Sequence, residues 1–390
     1  MKASKIKIAI SAVAIVLLAV FTFLLIFGVF EKGPGGGPTG GDDSFYLKGD
    51  AKTMYGEDAI FDEALGWANS DPSAIQLDSG ERYLYYTSNQ TMFSDDYAIV
   101  VRKGEKVNGE YQYTGRKTLI TPSESGWDAY HVGSADVVKG AFAYNGKTYS
   151  YLMAYQANAD EFEEKCFEIG LAVAETPDGE WIKVGDKPIL TNYATQSGDS
   201  VLGYYAPSLV SNDKGGNVKL FYTYGDAYGH FQYFVDLDCS NLNNIPAFGS
   251  IVLSGNGLAT GEGIVMFPNA DFVYDSENER YYVVKDFSPS ADTLPRKAYQ
   301  IELAYVEEYN LYTADLGYSF TSLEVINGFT VMGDRDGWER LYSGTIVSDE
   351  FGGKLGSEIE ILYNACDIEM NEPEDYLWTP SVHSYIHNEI

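Results

Sequence analysis

From residue 45 onward, short apolar or aromatic runs alternate with turn residues. Runs of four to eight residues recur, separated by signals such as Asn145-Gly146, Asp178-Gly179 and Gly215-Gly216. No long segment carries a helical period, and short runs rich in Tyr, Val and Ile between such turns read as β-strands. The order of the runs also repeats. NSDPSAIQLDSGERYLYYTS occupies 69–88, SADVVKGAFAYNGKTYSYLMAYQA 134–157, YYAPSLVSNDKGGNVKLFYTYGD 204–226 and NADFVYDSENERYYVVKDFS 269–288, with a weaker copy, SGTIVSDEFGGKLGSEIEILYNA, at 343–365. Each copy has a small or acidic opening, an apolar run, a turn rich in Asn, Asp or Gly, and a Tyr-rich run. With Pro72, Asp136, Pro207, Asp271 and Thr345 as equivalent points, the spacings are 64, 71, 64 and 74 residues. Such a period marks one supersecondary unit used several times. In the second unit ADVVKGAFAY, KTYSYLMAYQA, FEIGLAVAE and EWIKVGD give four strand-like runs, the content of a propeller blade. Five starts are visible, so the expected fold is all-β, a five-bladed β-propeller over 45–390.

The N-terminal part has a different pattern. Residues 8–30 hold 23 small or apolar residues with one Ser, one Thr and no charge. A bilayer span needs about 20, whereas the apolar core of a cleaved signal peptide has about 7–15 and an A-x-A-like exit. No Cys follows to carry a lipid. Lys2, Lys5 and Lys7 precede the run, so the positive-inside rule puts residues 1–7 in the cytoplasm and the rest outside. The expectation is a single N-terminal transmembrane helix acting as a signal-anchor, in a single-pass cell-membrane protein with an extracellular propeller. Residues 31–44, with GPGGGPTGGDDS, read as a flexible Gly-rich linker.

Composition narrows the partners. The net charge is −31, from 26 Lys and Arg against 57 Asp and Glu, which argues against nucleic acid as a ligand because phosphates need cations. The acidic residues are spread along the chain, as on a solvated surface. Cys166, Cys239 and Cys366 lie far apart in the sequence and form neither a disulfide framework nor a zinc motif.

Candidate chemistry gathers at the blade starts. The innermost strand of a propeller blade lines the central channel, so residues just before it face one mouth. Asp71, Asp136, Tyr205 and Asp271 fall there. Two carboxylates converging on a channel mouth suit acid–base work on a glycosidic bond; an Asp before a strand also caps turns through the backbone.

The run Ser70-Asp71-Pro72-Ser73-Ala74-Ile75, with its Gly turn and Tyr83-Leu84-Tyr85-Tyr86-Thr87-Ser88, resembles the first blade of glycoside hydrolase family 43. The second blade is similar through Ala135-Asp136-Val137-Val138 and Asn145-Gly146-Lys147, and IGLAVAETPDGEWIKVGDKPIL at 169–190 is similar to a tail shared by related five-bladed sugar-processing propellers. The resemblance implies an inverting hydrolase of arabinose- or xylose-containing oligo- or polysaccharides. Asp71 matches the base that activates water, and Asp136 the residue that orients the acid and raises its pKa. The general acid, a Glu before a small residue and Pro in the third blade, is replaced in Tyr205-Ala206-Pro207. Losing such a group costs typically 10²–10⁴-fold.

Glu262, in Gly261-Glu262-Gly263, is the candidate for the missing acid, with Glu339 beside Arg340 the lesser one. Trp127, Tyr130, His131, Tyr205 and Trp338 are candidate sugar-stacking or sugar-binding groups near the mouth. No cofactor is required. His383 is a candidate ligand for a structural Ca2+ or other cation, since relatives in this family often hold one in the central channel. Two other readings stay open: a carbohydrate-binding propeller with a degraded site, and a structural or protein-interaction propeller.

Overall fold

The computed structural model describes residues 50–52, 68–91, 96–159, 167–192, 202–226, 228–259, 267–287, 300–312, 320–331, 340–366 and 382–388. By compactness the chain divides into Met1–Asp43 and Ser44–Ile390. The first unit, with the expected span 8–30, lies outside the described residues. Among the described residues no helix is long and apolar enough to cross a membrane.

Five antiparallel sheets follow one another along the second unit. Strand β1 (Asp50–Lys52) precedes the first blade, which comprises β2 (Asn69–Gln76), β3 (Arg82–Asn89), β4 (Tyr97–Val107) and β5 (Glu110–Ile120). The second has β6 (His131–Tyr144), β7 (Lys147–Asn158), β8 (Glu168–Ala174) and β9 (Ile182–Lys183). The third has β10 (Gly203–Ser211), β11 (Asn217–Asp226), β12 (Gly229–Asp238) and β13 (Ile251–Val252). The fourth has β14 (Asp271–Asp275), β15 (Arg280–Phe287), β16 (Gln300–Glu307) and β17 (Thr321–Asn327). In the fifth, β18 (Arg340–Ile346), β20 (Glu358–Cys366) and β21 (His383–Asn388) are completed by β1, which pairs Ala51 with Tyr385. The first and last strands thus close the ring, as expected of a five-bladed propeller.

The Tyr-rich runs are the second strands of the blades, and they read as nearly continuous apolar segments because both of their faces are buried. In β3, Tyr83 and Tyr85 pack toward the second blade, while Leu84 and Tyr86 pack toward the fifth. In β11, Leu220 and Tyr222 face the second blade and Phe221 the fourth. Side chains on a strand alternate between faces, so each blade supplies half of two cores. Five hydrophobic clusters result, one at each interface between neighbouring blades.

Two irregularities shape the channel. Each blade start carries a residue in the left-handed region: Asp71 (φ 50°), Ser134 (φ 42°), Ala206 (φ 48°), Asn269 (φ 48°) and Ser343 (φ 50°). In four blades the pairing with the second strand skips there, between Ser70 and Ser73, Gly133 and Asp136, Tyr205 and Ser208, and Tyr342 and Thr345. These are β-bulges, which bend a strand and re-aim its side chains.

The bulges also correct the alignment of the repeat. Ser73, Asp136, Ser208, Asp271 and Thr345 are equivalent, one residue after the left-handed residue's neighbour; Pro72 and Pro207 belong one position earlier. Asp71 and Asp136 therefore occupy different phases of the repeat.

The second irregularity stoppers the opposite end of the channel. Between β18 and β20, the short β19 (Ser348–Asp349) runs parallel to β2, pairing Ser348 with Ile75. The following carbonyls accept N–H groups from three further blades: Glu350 from Lys139 at 2.6 Å, Phe351 from Ser211 at 2.9 Å and Gly352 from Tyr274 at 2.9 Å. At Gly352 φ is 78°, and an added Cβ would lie 2.6 Å from the Leu209 carbonyl oxygen. Only glycine fits this crossing.

Candidate active site at the channel mouth

The bulges ring a shallow depression, lined from every blade by the left-handed residue and its neighbours. Asp71 is half-buried in this lining. Its Oδ2 accepts hydrogen bonds from the hydroxyls of Ser70 and Thr87, each at 3.1 Å, and its Oδ1 accepts one from Ser343 of the fifth blade at 2.8 Å. Asp is among the few side chains that tolerate the left-handed conformation, so the bulge that exposes Asp71 to the mouth is compatible with a carboxylate at that point.

Asp136 sits deeper in function than the sequence alone suggests. Its Oδ2 accepts the Leu209 N–H of the third blade at 2.6 Å; its Oδ1 accepts the Ser73 hydroxyl of the first at 2.7 Å and the Val137 N–H at 2.9 Å. Asp271 repeats the device two blades on. Its Oδ2 accepts the Thr345 hydroxyl and the Ile346 N–H of the fifth blade, both at 2.8 Å. Two carboxylates thus lace neighbouring blades together around the channel. Desolvation pushes both carboxyls upward, Asp136 to about 7, and the nearby Asp271 charge adds to the shift of Asp136. The hydrogen bonds from Leu209, Ser73 and Val137 work against that shift.

A second ring lies just outside the first. Thr87, Gln156, Thr223 and Asn364 hold the same place on their second strands, opposite Ser70, Gly133, Tyr205 and Tyr342. Asp286 holds that place in the fourth blade, its N–H donating to Pro268. In three of these the side chain accepts the N–H of the next blade's left-handed residue: Thr87 from Ser134 at 2.9 Å, Gln156 from Ala206 at 2.9 Å and Asp286 from Ser343 at 2.8 Å. Burial pushes Asp286 up to about 7, with hydrogen bonds from Asn269 and Ser343 and the charge of Arg340 opposing it.

The other sequence candidates are placed as follows. Tyr205 is buried, 7% exposed, and its hydroxyl hydrogen-bonds His230 Nδ1, the two rings meeting edge-on at 5.8 Å. It packs into its own blade and does not stand in the lining as a sugar-stacking surface. Trp127 lies over Tyr155 at 5.5 Å, and an added Cβ on Gly170 would meet it at 2.4 Å. Tyr130 is half-buried, with its N–H on the Asn158 carbonyl at 3.1 Å. His131 stacks on Tyr97 at 4.8 Å; burial lowers it to about 4, and its Nε2 is buried with no hydrogen-bond partner. His383 lies on β21, the third strand of its blade, fully buried and stacked on Tyr363 at 5.6 Å. That position is two strands away from the channel, and among the described residues no group of three or more His, Cys, Asp or Glu is arranged to hold a metal ion. Glu262, Trp338 and Glu339 lie outside the described residues.

Sequence reasoning missed Ser343, Thr87 and Asp286. A signal for the last two was present: each Tyr-rich run carries a polar residue near its end, Thr87, Gln156, Thr223, Asp286 or Asn364.

No protein-family model matches the chain, and no curated protein sequence does. Solved structures do. Zg3597, a family 117 glycoside hydrolase of the marine bacterium Zobellia galactanivorans, is similar over 88% of this chain and 91% of its own, with 15% identity and a TM-score of 0.53. The α-L-arabinofuranosidase PaAbf62A of Podospora anserina, solved with cellotriose, is similar over 88% and 98%, with 11% identity and a TM-score of 0.52. A thermostable family-43 glycoside hydrolase is similar over 82% and 89%, with 14% identity and a TM-score of 0.50. The likeness is one of fold. The chain is a five-bladed propeller of the architecture on which these glycoside hydrolases are built.

Proposed function

We propose that the chain acts on carbohydrate at the channel mouth, as a glycoside hydrolase in which Asp71 is the base that activates water. One observation carries this reading: the Asp71 carboxylate faces the central depression and is fixed by three hydroxyl donors from two blades. A base must be aimed before it is useful. His131 stays in the proposal as a sugar-binding group: it is uncharged at neutral pH, and among the described residues its Nε2 has no hydrogen-bond partner.

The substrate class in this proposal is arabinose- or xylose-containing glycan, cleaved with inversion, and Glu262 supplies the proton to the leaving oxygen. Inversion requires roughly 6.5–9.5 Å between base and acid. The proposal also anchors the propeller outside the cell membrane through residues 8–30. The central cation stays part of it without His383 as a ligand.

A second reading, a propeller that binds sugar without cleaving it, is favoured by Tyr205. At the place where the resemblance calls for an acid there is a buried phenol engaged with His230. The test uses purified full-length chain on aryl arabinofuranosides, aryl xylosides and arabinoxylan, beside Asp71→Asn and Glu262→Gln. Hydrolysis needs turnover by the unaltered chain, its loss in Asp71→Asn, and rescue of Glu262→Gln on aryl substrates with good leaving groups. Arabinoxylan binding without turnover selects the second reading, and equal turnover by Asp71→Asn removes Asp71 from the mechanism.

A further inference from the structure

The hydrogen bonds that reach Asp71 do not come from its own blade alone. Ser343, the left-handed residue of the fifth blade, donates its hydroxyl to Asp71 Oδ1 at 2.8 Å and its main-chain N–H to Asp286 Oδ1 at 2.8 Å. Asp286 is in turn held through Oδ2 by the Asn269 side chain at 2.7 Å. A continuous relay therefore runs from Asn269 through Asp286 and Ser343 to Asp71, crossing two blade boundaries.

Asp286 differs from its counterparts. Thr87 and Gln156 accept the next blade's N–H with neutral oxygens, so the architecture does not itself require a charge there. The fourth blade uses a carboxylate that is 4% exposed, at the desolvation cost of a buried charge. Arg340 and Asp71 act on it through their charges, and Tyr205 of the third blade feels its charge in turn. A carboxylate accepts two donors at once on separate oxygens. Here those donors are the side chain of one mouth residue, Asn269, and the main chain of another, Ser343. Both lie in the lining of the depression.

We propose that Ser343 and Asp286 are positioning residues for the site: Asp286 fixes the Ser343 main chain, and the Ser343 hydroxyl fixes the orientation of the Asp71 carboxylate toward the mouth. This rests on the reading of Asp71 as base. Neither residue exchanges a proton with substrate. Their effect is geometric, and misplacement of about 1 Å at such a group is worth up to about 10²-fold in rate.

Ser343→Gly separates this role from a structural one. Glycine adopts φ 50° more readily than serine, so the bulge and the Ser343 N–H bond survive while the hydroxyl is lost. The expected result is an unchanged melting temperature, a kcat lowered by roughly 10-fold or more and a KM within about twofold. Asp286→Asn, which still offers an oxygen to the Ser343 N–H, is expected to lose less rate than Asp286→Leu, which offers none. A Ser343→Gly protein with kcat within twofold of the parent overturns the proposal. A second readout does not need turnover: crystal structures of the parent and of Ser343→Gly compared at Asp71. A reoriented carboxylate supports the proposal, and an unmoved one overturns it, whatever the outcome for Asp71→Asn on the base assignment.

Discussion

Asp136 in the second blade accepts the Leu209 N–H of the third at 2.6 Å, and Asp271 in the fourth accepts the Ile346 N–H of the fifth at 2.8 Å. The same side chain at the same repeat position makes the same bond to the next blade. Asp136 is therefore an architectural latch whether or not it also serves chemistry. Above about pH 7, where Asp136 is ionised, Asp136→Asn turns an acceptor-only group into one that presents N–H to donors. The expected loss is about 2–4 kcal/mol, measured by urea denaturation. A loss below about 0.5 kcal/mol refutes the latch. An inactive Asp136 variant is informative about catalysis only once its stability is known.

The two carboxyls raised to about 7, Asp136 and Asp286, give stability a definite pH dependence. In the unfolded chain such groups titrate near 4. Between about 4 and 7 the folded protein holds protons that the unfolded chain has released. Their contribution is full below about 4 and is lost as pH rises through about 7. Asp213, Asp238 and Asp275 are lowered by their own hydrogen bonds and act in the opposite sense below about 4, equally in parent and variant. The difference in unfolding free energy between parent and Asp286→Asn is expected to shrink in the parent's disfavour from pH 4.5 to 7.5, about the interval spanned by the two titrations. A pH-independent difference contradicts it.

Tyr205→Phe removes only the hydroxyl that meets His230. Because the ring is buried, sugar affinity by calorimetry is expected to stay within about twofold, while stability falls by about 1–2 kcal/mol. A large drop in affinity with unchanged stability returns Tyr205 to the sugar-binding surface.

Lys285 and Glu302 form a buried ion pair at 3.2 Å in the fourth blade, and Glu302 also accepts the Ala259 N–H at 2.6 Å. Removing one partner strands a charge, so Lys285→Met or Glu302→Gln alone is expected to cost about 3–5 kcal/mol. The double variant should cost less than the sum, which a double-mutant cycle measures. Additive losses mean the two side chains are not coupled.

Ala206 holds φ 48°. Left-handed backbone costs a non-glycine residue about 1–2 kcal/mol, and glycine gives part of that back through its freer unfolded chain. Ala206→Gly is expected to raise stability by about 0.5–1 kcal/mol in denaturant titrations. Destabilisation would mean that the Cβ packs against something essential.

The five starts and the Tyr-rich second strands were legible because burial on both faces writes apolar residues at consecutive central positions of β3, β7 and β11. The phase of the repeat was not. Asp71 and Asp136 look alike in sequence, each a carboxylate before an apolar run, yet one is the left-handed residue of its bulge and the other lies two positions later. Backbone φ leaves no mark on hydrophobic patterning when the residues adopting it are Asp, Ser, Ala, Asn and Ser. Ser343 was invisible for another reason: its bond to Asp71 spans 272 residues of chain. The exposed-aromatic expectation failed at Tyr205 because a strand residue next to a bulge can turn inward as easily as outward, and His230, on a different strand, decides which.

The crossing from Ser348 to Gly352 joins the fifth blade to the other four beneath the mouth. The channel is therefore a blind well. On the proposed hydrolysis, a long polymer is not threaded past this crossing and product leaves by the mouth. Whatever is recognised has to lie across the rim, or dip one end or side branch into it, and withdraw by the way it came. On the proposed hydrolysis, release and entry share the mouth, so a small sugar freed there is expected to inhibit the next encounter.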